Sequence, residues 1–374
     1  MNSKTLQATS ISILEQKINQ VISTEFQPTI GIVFNSIEQD IAGIQSIFKR
    51  HNIDLVGCTT AGEIIDDELL EETTAVLLLD MNREHYVIKT LDHDKGSYKA
   101  AFQIGTEIKD IYDNIGILMN VGEFGVDAAG VVNGIKAGIG KEVPMYGGLA
   151  ADGLQMKEIF AYSRDFSTNS GSVILVIDAD KIEIKGMAIS GWKAIGMEKT
   201  ITKSEGNIVY EIDNERASDV FIRYFGIANA TSDDYLVSLQ TNYPLQIIRE
   251  EDTILRSPLV LDEDNGSITL MGGVNQGDKF RFSNSPGFEV IEQTIEEFEQ
   301  LKDKSPDVDA LILYSCKGRH GALGPLLEDE ISGLYNYWNK PMIGFLSYGE
   351  IGNTPSGICE FHNETCSLVS LREK

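Results

Sequence analysis

Residues 29–64 read TIGIVFNSIEQDIAGIQSIFKRHNIDLVGCTTAGEI, and their pattern decides the fold. The apolar run at 29–36 is typical of a buried strand, and the spacing of apolar positions in 37–53 is typical of an amphipathic helix. The run at 54–64 predicts a second strand that ends in a Gly-rich turn. Strands that alternate with helices favour a parallel or mixed sheet, so we expect the Gly-rich turn at a strand's carboxyl end, where ligand sites gather.

The same order of elements recurs in two later parts of the chain. The predicted units are 29–80, 114–178 and 308–371, and each continues after its Gly-rich turn into a variable loop and a final apolar strand. A strand and a helix precede the second and third units, and the strand before the third is KFRFS. We therefore predict an α/β fold with mixed sheets built from repeated βαββ units.

Residues 182–283 have a different hydropathy pattern from the three units. Short runs that alternate apolar and polar residues are separated by Gly, Asn and Asp, which predicts an antiparallel β-rich insertion in the C-terminal half. Within it, EGN at 205–207 and EDNG at 263–266 are predicted hairpin turns.

The composition of the chain limits the classes of partner that it can bind. The 57 Asp and Glu residues exceed the 31 Lys and Arg residues and give a net charge of -26, which would repel nucleic acid and anionic lipid. The N-terminus lacks the apolar core of a signal peptide, and no apolar run is long enough for a membrane span. We expect a soluble, cytoplasmic protein without nucleic-acid or membrane partners. The four cysteines form no CxxC pair, which favours reduced, buried thiols over a zinc site.

Cys58 lies in the first Gly-rich turn, and three roles remain open for it. A small buried residue is the plainest, and a ligand-lining residue together with Thr59, Thr60 and Glu63 is the second. The third is a nucleophile, which requires a thiol of lowered pKa and a base within hydrogen-bond reach. The neighbouring sequence offers no histidine, although the fold can bring a base from elsewhere.

A second candidate site lies at two strand ends of the third unit. If those strands are parallel neighbours, Cys316 and Arg319 emerge beside Ser347, Tyr348 and Glu350. A zwitterion such as an amino acid would match this set, with its carboxylate on the arginine and its ammonium on the glutamate. The alternative is an ion pair between that arginine and Glu350, with no ligand. Glu63 and Asp152 occupy corresponding turns in the other units, where an acid can also simply stabilise the turn.

Six short motifs carry a family resemblance. They are VGCTTAGEI at 56–64, YGGLAADG at 146–153, GW at 191–192 with the GNIVYEIDNERASDVFIRYFG that follows at 206–226, SCKGRHGALG at 315–324, GFLSYGEIG at 344–352 and HNETCSL at 362–368. In this order they resemble the FIST domain family, with an N-terminal domain expected at 26–225 and a C-terminal domain at 226–374. The resemblance implies a bacterial sensory protein that binds a small ligand and acts with a histidine kinase or a chemotaxis-type receptor.

Two alternatives to a non-catalytic sensor of a small polar ligand follow. Some relatives resemble haem-containing nitric oxide sensors that regulate a histidine kinase, and His320 and His362 would be the candidate haem ligands here. The other alternative is a cysteine-dependent enzyme that uses Cys58 or Cys316. We expect no bound haem, because the histidines are scattered and none lies in the three Gly-rich strand ends.

Overall fold

The structure is a computed structural model, and it describes residues 1–23, 25–93, 96–226, 243–249, 252–304 and 307–374. Its helices are α1 (Ile11–Ile22), α2 (Ile41–Arg50), α3 (Ser97–Ile108), α4 (Ala128–Ile139), α5 (Ala217–Phe225), α6 (Glu289–Lys304), α7 (Lys317–Leu323) and α8 (Leu326–Trp338). The strands form three mixed sheets of six strands and one antiparallel sheet of eight. The predicted α/β class is confirmed.

Each mixed sheet combines strands from different parts of the chain. In spatial order, the first contains β1 (Ser3–Ala8), β6 (Thr74–Leu79), β2 (Ile30–Ser36), β3 (Asp54–Thr60), β10 (Ala161–Ser163) and β11 (Ser167–Thr168). The second contains β7 (Tyr86–Asp92), β12 (Ser170–Asp178), β8 (Ile115–Glu123), β9 (Met145–Leu149), β24 (Glu350–Asn353) and β25 (Cys359–His362). The third contains β13 (Ile182–Ile189), β26 (Cys366–Glu373), β22 (Ala310–Cys316), β23 (Met342–Ser347), β4 (Glu63–Ile65) and β5 (Glu68–Leu70).

The pairing within these three sheets follows one scheme. In each, a central parallel pair is flanked by an antiparallel strand: β2 and β3 with β6, β8 and β9 with β12, and β22 and β23 with β26. The strand directions thus agree with the βαββ order predicted for the three segments. Beyond the pair, each sheet is extended by a two-stranded hairpin from another segment.

This hairpin exchange is cyclic, and the sequence did not predict it. Strands β4 and β5 of the first segment join the third sheet, β10 and β11 of the second join the first, and β24 and β25 of the third join the second. Because backbone hydrogen bonds link each segment to the next, the three sheets form one interlocked body. The predicted domain boundary at 225/226 falls at the end of α5 and stays a prediction.

The antiparallel sheet is the insertion. Its spatial order is β18 (Thr253–Arg256), β17 (Leu245–Ile248), β21 (Lys279–Asn284), β14 (Lys193–Glu205), β15 (Ile208–Ile212), β20 (Ser267–Leu270) and β19 (Pro258–Asp262), with β16 (Glu215–Arg216) beside β15. Both predicted hairpin turns are confirmed, because β14 pairs with β15 and β19 with β20 across them.

The start of the insertion was predicted wrongly, whereas its predicted end at 283 agrees with β21. Strand β13 pairs with β26 in the third mixed sheet, although its sequence was assigned to the insertion. KFRFS, the strand expected before the third unit, is β21 and pairs inside the insertion. The alternating pattern of β13 and β21 predicts a strand correctly, but it carries no information about which sheet the strand joins.

The core lies where the mixed sheets meet. Phe34 of the first sheet contacts Tyr314 and Phe345 of the third, with ring centroids 6.1 and 4.5 Å apart. The second sheet contributes Gly148, where a Cβ atom would lie 2.9 Å from the Phe345 ring. The first and third sheets therefore contribute large aromatic side chains to this contact, and the second sheet contributes a glycine that leaves room for them.

Candidate functional site

The carboxyl ends of β22 and β23 lie side by side, as their parallel pairing requires. Cys316 is opposite Ser347 in the register of the two strands. The chain turns directly into helix α7 after the first strand and into a tight turn at Gly349 after the second. The two segments singled out in the third unit therefore meet at one sheet edge.

A cavity of about 420 Å³ opens at this edge. Three of the residues expected at the site line it: Cys316, Ser347 and Tyr348. The remaining lining residues come from the second segment, the insertion, α7 and the turn before β26, and they are Leu154, Met156, Ser257, Leu259, Met271, Lys317, Gly318, His320, Gly321, Asn363 and Glu364. The cavity is thus built jointly by distant parts of the chain.

Glu364 is the polar group that sequence reasoning missed. It is 2% exposed, and its Oε1 accepts a hydrogen bond of 2.8 Å from Ser257 Oγ. Within the described part of the chain, its Oε2 atom has no hydrogen-bond partner. Burial raises the pKa of this carboxyl well above its usual range. A buried, unsatisfied carboxyl oxygen is costly, so it marks a place where a ligand can supply the missing donor.

The backbone around Glu364 fixes its position. Glu364 itself has φ +56°, a conformation that residues with a side chain rarely adopt. Helix α7 approaches so closely that a Cβ atom at Gly318 would lie 2.2 Å from Glu364 Oε1. The glycine in the motif SCKGRHGALG is therefore explained by this contact, because any side chain there would collide with the carboxyl group.

Glu350 lies nearby but does not line the cavity. Both its oxygens are engaged, Oε1 by Ser347 Oγ and Oε2 by the backbone N–H and the hydroxyl of Thr365, at 3.3 and 2.8 Å. Burial raises the pKa of Glu350 to about 8. This residue is a buried anchor of the turn between β23 and β24.

Glu63 repeats this arrangement in the first segment. Its Oε1 accepts from Thr60 Oγ1, and its Oε2 accepts from the backbone N–H and the hydroxyl of Thr73 at 3.0 and 2.9 Å. Burial also raises the pKa of Glu63. The acids that recur after the second strand of each parallel pair thus stabilise turns, which was one of the two roles open to them.

Asp152, the acid of the second segment, holds a loop at the mouth of the cavity. It accepts hydrogen bonds from the backbone N–H groups of residues 156, 157 and 158 at 3.0, 2.7 and 3.1 Å. Tyr348 donates its hydroxyl to Asp152 at 2.5 Å and accepts from the Leu154 N–H at 2.8 Å. Although burial opposes it, these hydrogen bonds lower the pKa of Asp152. The loop's Leu154 and Met156 are 53% and 38% exposed beside the cavity.

A smaller cavity of about 200 Å³ adjoins the first and is acidic. Thr60 and Glu63, two residues expected at a site, line it together with Glu71, Glu72 and Lys317. Lys317 also lines the larger cavity, and its Nζ atom lies 3.1 Å from His320 Nδ1. Burial lowers the pKa of Lys317 from its usual value, although the neighbouring Glu71 opposes this.

Arg319 does not present its guanidinium group to either cavity. It is fully buried and forms a two-point ion pair with Glu330 of α8, at 3.0 and 2.6 Å. Its remaining donors reach the Ser190 carbonyl oxygen and Thr294 Oγ1, and it stacks over the Trp192 ring. The expected partner, Glu350, is not its ion-pair partner. The arginine therefore connects α7 to α6, α8 and the chain before β14.

Cys58 and Thr59 lie in the interior of the first sheet, and neither lines the two cavities. Cys58 pairs with Phe34 in the strand register, it is fully buried, and burial raises the pKa of its thiol. These properties fit packing better than nucleophilic chemistry. Thr59 uses its Oγ1 to accept from the Phe160 N–H at 3.0 Å.

We expect the native protein to resist alkylation of its thiols. All four cysteines are buried and free of disulfides, and burial raises the pKa of each thiol. Iodoacetamide at pH 8 followed by mass spectrometry should leave the native chain unmodified and add four groups in guanidinium chloride. Rapid modification of Cys58 in the native state would contradict the packing role, whereas Cys316, which lines the cavity, should be the first to react on long exposure.

The two histidines considered for haem differ in their surroundings. His362 is buried, its Nε2 lies 3.1 Å from the Gly352 carbonyl oxygen, and burial lowers its pKa to about 4. It does not line the larger cavity, whereas His320 does. His320 is thus the residue that would supply an axial ligand to a haem there, while the arrangement around His362 does not fit one.

Two further properties concern metals and membranes. Among the residues that the structure describes, no group of three or more His, Cys, Asp or Glu side chains is placed to hold a metal ion. No helix in the described ranges combines the length and the apolarity that crossing a bilayer requires.

Comparison with known families gives two matches that together span most of the chain. The FIST N domain model matches residues 29–215, and the FIST C domain model matches residues 217–353. The first match contains the first two parallel strand pairs, and the second contains most of the insertion and the parallel pair at the cavity. No curated protein matches the chain.

Proposed function

Because this chain belongs to the FIST family, whose domains are sensory domains of signal transduction, we propose that it binds a small organic ligand in the cavity beside Cys316 and Ser347. The observation that carries the proposal is that Glu364 lines that cavity and that its buried Oε2 atom has no hydrogen-bond partner among the described residues. Pockets that combine apolar walls with a few polar groups, at the carboxyl ends of parallel strands, are the usual form of a small-molecule site.

A sensor of this kind passes its signal to a separate partner protein. We propose a partner in trans, a histidine kinase or a chemotaxis-type receptor as the family resemblance implies. The loop 152–158 is well placed to report occupancy, because it belongs to the second segment yet borders a cavity at the carboxyl edge of the third sheet. A ligand that contacts Leu154 would act directly on the hydrogen bonds that join this loop to Tyr348 and Asp152.

A zwitterion cannot bind between Arg319 and Glu350 as the sequence suggested, because both side chains already have partners. The guanidinium group is occupied by Glu330, and the Glu350 oxygens are occupied by Ser347 and Thr365. A haem sensor using His320 is the second candidate, and it rests on that histidine's place in the cavity lining. An absorption spectrum of the purified protein separates the two, since a stoichiometric Soret band would select the haem sensor.

We expect Met271→Trp to abolish binding of whatever small molecule the cavity holds. The larger side chain fills part of the 420 Å³ cavity, while Met271 is only partly buried, so the fold has room to adjust. The measurement is a thermal-shift screen of small metabolites, with mass spectrometry of molecules that copurify with the unmodified chain.

Met197→Trp is the matched control, because Met197 is 79% exposed and does not line the cavity. Hits should be lost in the first variant and kept in the second. Equal binding by both variants would show that the site lies elsewhere and would refute the proposed cavity.

A further inference from the structure

The position of Glu364 defines the kind of ligand that the cavity suits. We propose, resting on the sensory site proposed above, that the ligand is an organic amine whose protonated nitrogen binds Glu364 Oε2 while its apolar body packs against Leu154, Met156, Leu259 and Met271. An ammonium group supplies both the missing hydrogen-bond donor and the opposite charge.

The charges around the cavity favour a cation over an anion. Glu350 lies close enough to Glu364 to disfavour a second negative charge there. Arg319 is already paired with Glu330, and burial lowers the pKa values of Lys317 and His320, which disfavours the charged form of both side chains. An anionic ligand would meet the carboxyl group of Glu364 in the lining.

The walls of the cavity favour an apolar body on the amine. Four of the lining side chains are Leu or Met, contributed by the loop 152–158 and by the insertion. Leu154 and Met156 are large apolar residues that remain substantially exposed at the mouth. A ligand that covers them removes apolar surface from water, and methionine adapts its shape to varied partners. A small, fully polar amine would leave this surface exposed.

Binding of such a ligand should release a proton. Burial raises the pKa of the Glu364 carboxyl and so favours its protonated form in the empty cavity, and the group must ionise to pair with the ammonium group. Two charged groups act on it: Glu350 favours its protonated form, and Arg319 opposes it. Cys316, Lys317 and His320 line the same cavity. Affinity for an amine should therefore rise with pH over the range where the amine remains charged.

The test compares compounds that share one body and differ in charge. We would use isothermal calorimetry at pH 7.5 with primary amines of several sizes, phenethylamine and n-hexylamine among them. Each is paired with its alcohol isostere and with the α-amino acid that adds a carboxylate. Calorimetry in buffers of different ionisation enthalpy gives the number of protons released.

The expected result is that at least one amine binds, that its alcohol and amino-acid counterparts bind about 10-fold or more weakly, and that about one proton is released. Glu364→Gln should weaken the amine by about 10- to 100-fold, because the amide keeps an oxygen for Ser257 but carries no charge. Glu63→Gln is the control for a buried carboxyl outside the lining of this cavity, and it should change affinity by less than about 3-fold.

The outcomes separate this inference from the function on which it rests. Equal binding of amine and alcohol, preference for the amino acid, or an unchanged affinity in Glu364→Gln would overturn the amine assignment. So would a screen in which other compounds bind at the cavity, with loss in Met271→Trp, while every amine fails. If no compound of any charge distinguishes Met271→Trp from its control, the proposed cavity fails as well.

Discussion

Arg319→Met should lower the free energy of unfolding by about 3–5 kcal/mol, the largest effect expected of any single change discussed. The guanidinium group is fully buried and holds both oxygens of Glu330. Its removal leaves a carboxylate in the interior without a partner, and it also strips donors from Ser190 and Thr294. Urea denaturation followed by circular dichroism would measure the loss.

Two further variants make this prediction decisive. The double variant Arg319→Met with Glu330→Leu removes both charges and should recover most of the stability, because a buried ion pair can be replaced by apolar residues at little cost. Arg223→Met breaks an ion pair with Glu215 in which both side chains are about half exposed, so no measurable change is expected. A single variant as stable as the unmodified protein would show that the buried pair contributes nothing.

The βαββ order was predictable because the central strands are buried on both faces. Strands such as β2, β8 and β22 are almost continuously apolar. In the helices between strands, apolar residues recur with the helical period of about 3.6 residues. The hairpin exchange was not predictable in the same way. Strands β4 and β5 have three residues each, and a pattern so short does not indicate which of three similar sheet edges it will pair with.

The meeting of the two strand ends was predicted from the sequence, but the directions of the side chains there were not. The strand-end reasoning placed Cys316, Ser347 and Tyr348 together, because adjacent parallel strands end at one edge. It could not give the direction of the Arg319 side chain. One signal was available, since Glu330 lies on the apolar face of α8 between Leu327 and Leu334, and a buried acid there requires a cationic partner.

Glu364 was overlooked for a related reason. Its motif, HNETCSL, has the composition of a turn, and a polar residue in a turn is normally solvated. The structure buries this turn beneath the insertion, where Ser257 contacts it. Burial of a loop by a distant part of the chain leaves no trace in local periodicity, so the central polar group of the proposed site emerges only from the tertiary structure.

Glu350→Gln should make the protein progressively more stable than the unmodified chain as the pH rises. Burial raises the pKa of Glu350 to about 8, whereas an unfolded glutamate has a pKa of about 4.3. Between these values the folded state binds a proton that the unfolded state has released. The stabilisation is therefore complete below about pH 4.3 and is lost as the pH rises through about 8, with a slope approaching about 1.4 kcal/mol per pH unit.

Glutamine resembles the protonated acid and does not titrate, so the difference in unfolding free energy between the two proteins isolates this residue. Urea denaturation at several pH values from about 5.5 to 9 should show the difference growing and then levelling off above about pH 8. Glu63→Gln is the matched control, because Glu63 accepts the same three hydrogen bonds from Thr60 and Thr73. The pKa of Glu63 is also raised by burial, but Glu63 lines the smaller cavity whereas Glu350 lines neither, so the pH dependence of Glu63 should be the smaller of the two. Parallel stability curves for Glu350→Gln and the unmodified protein would mean that Glu350 is already ionised in the folded state, and that its hydrogen bonds outweigh its burial.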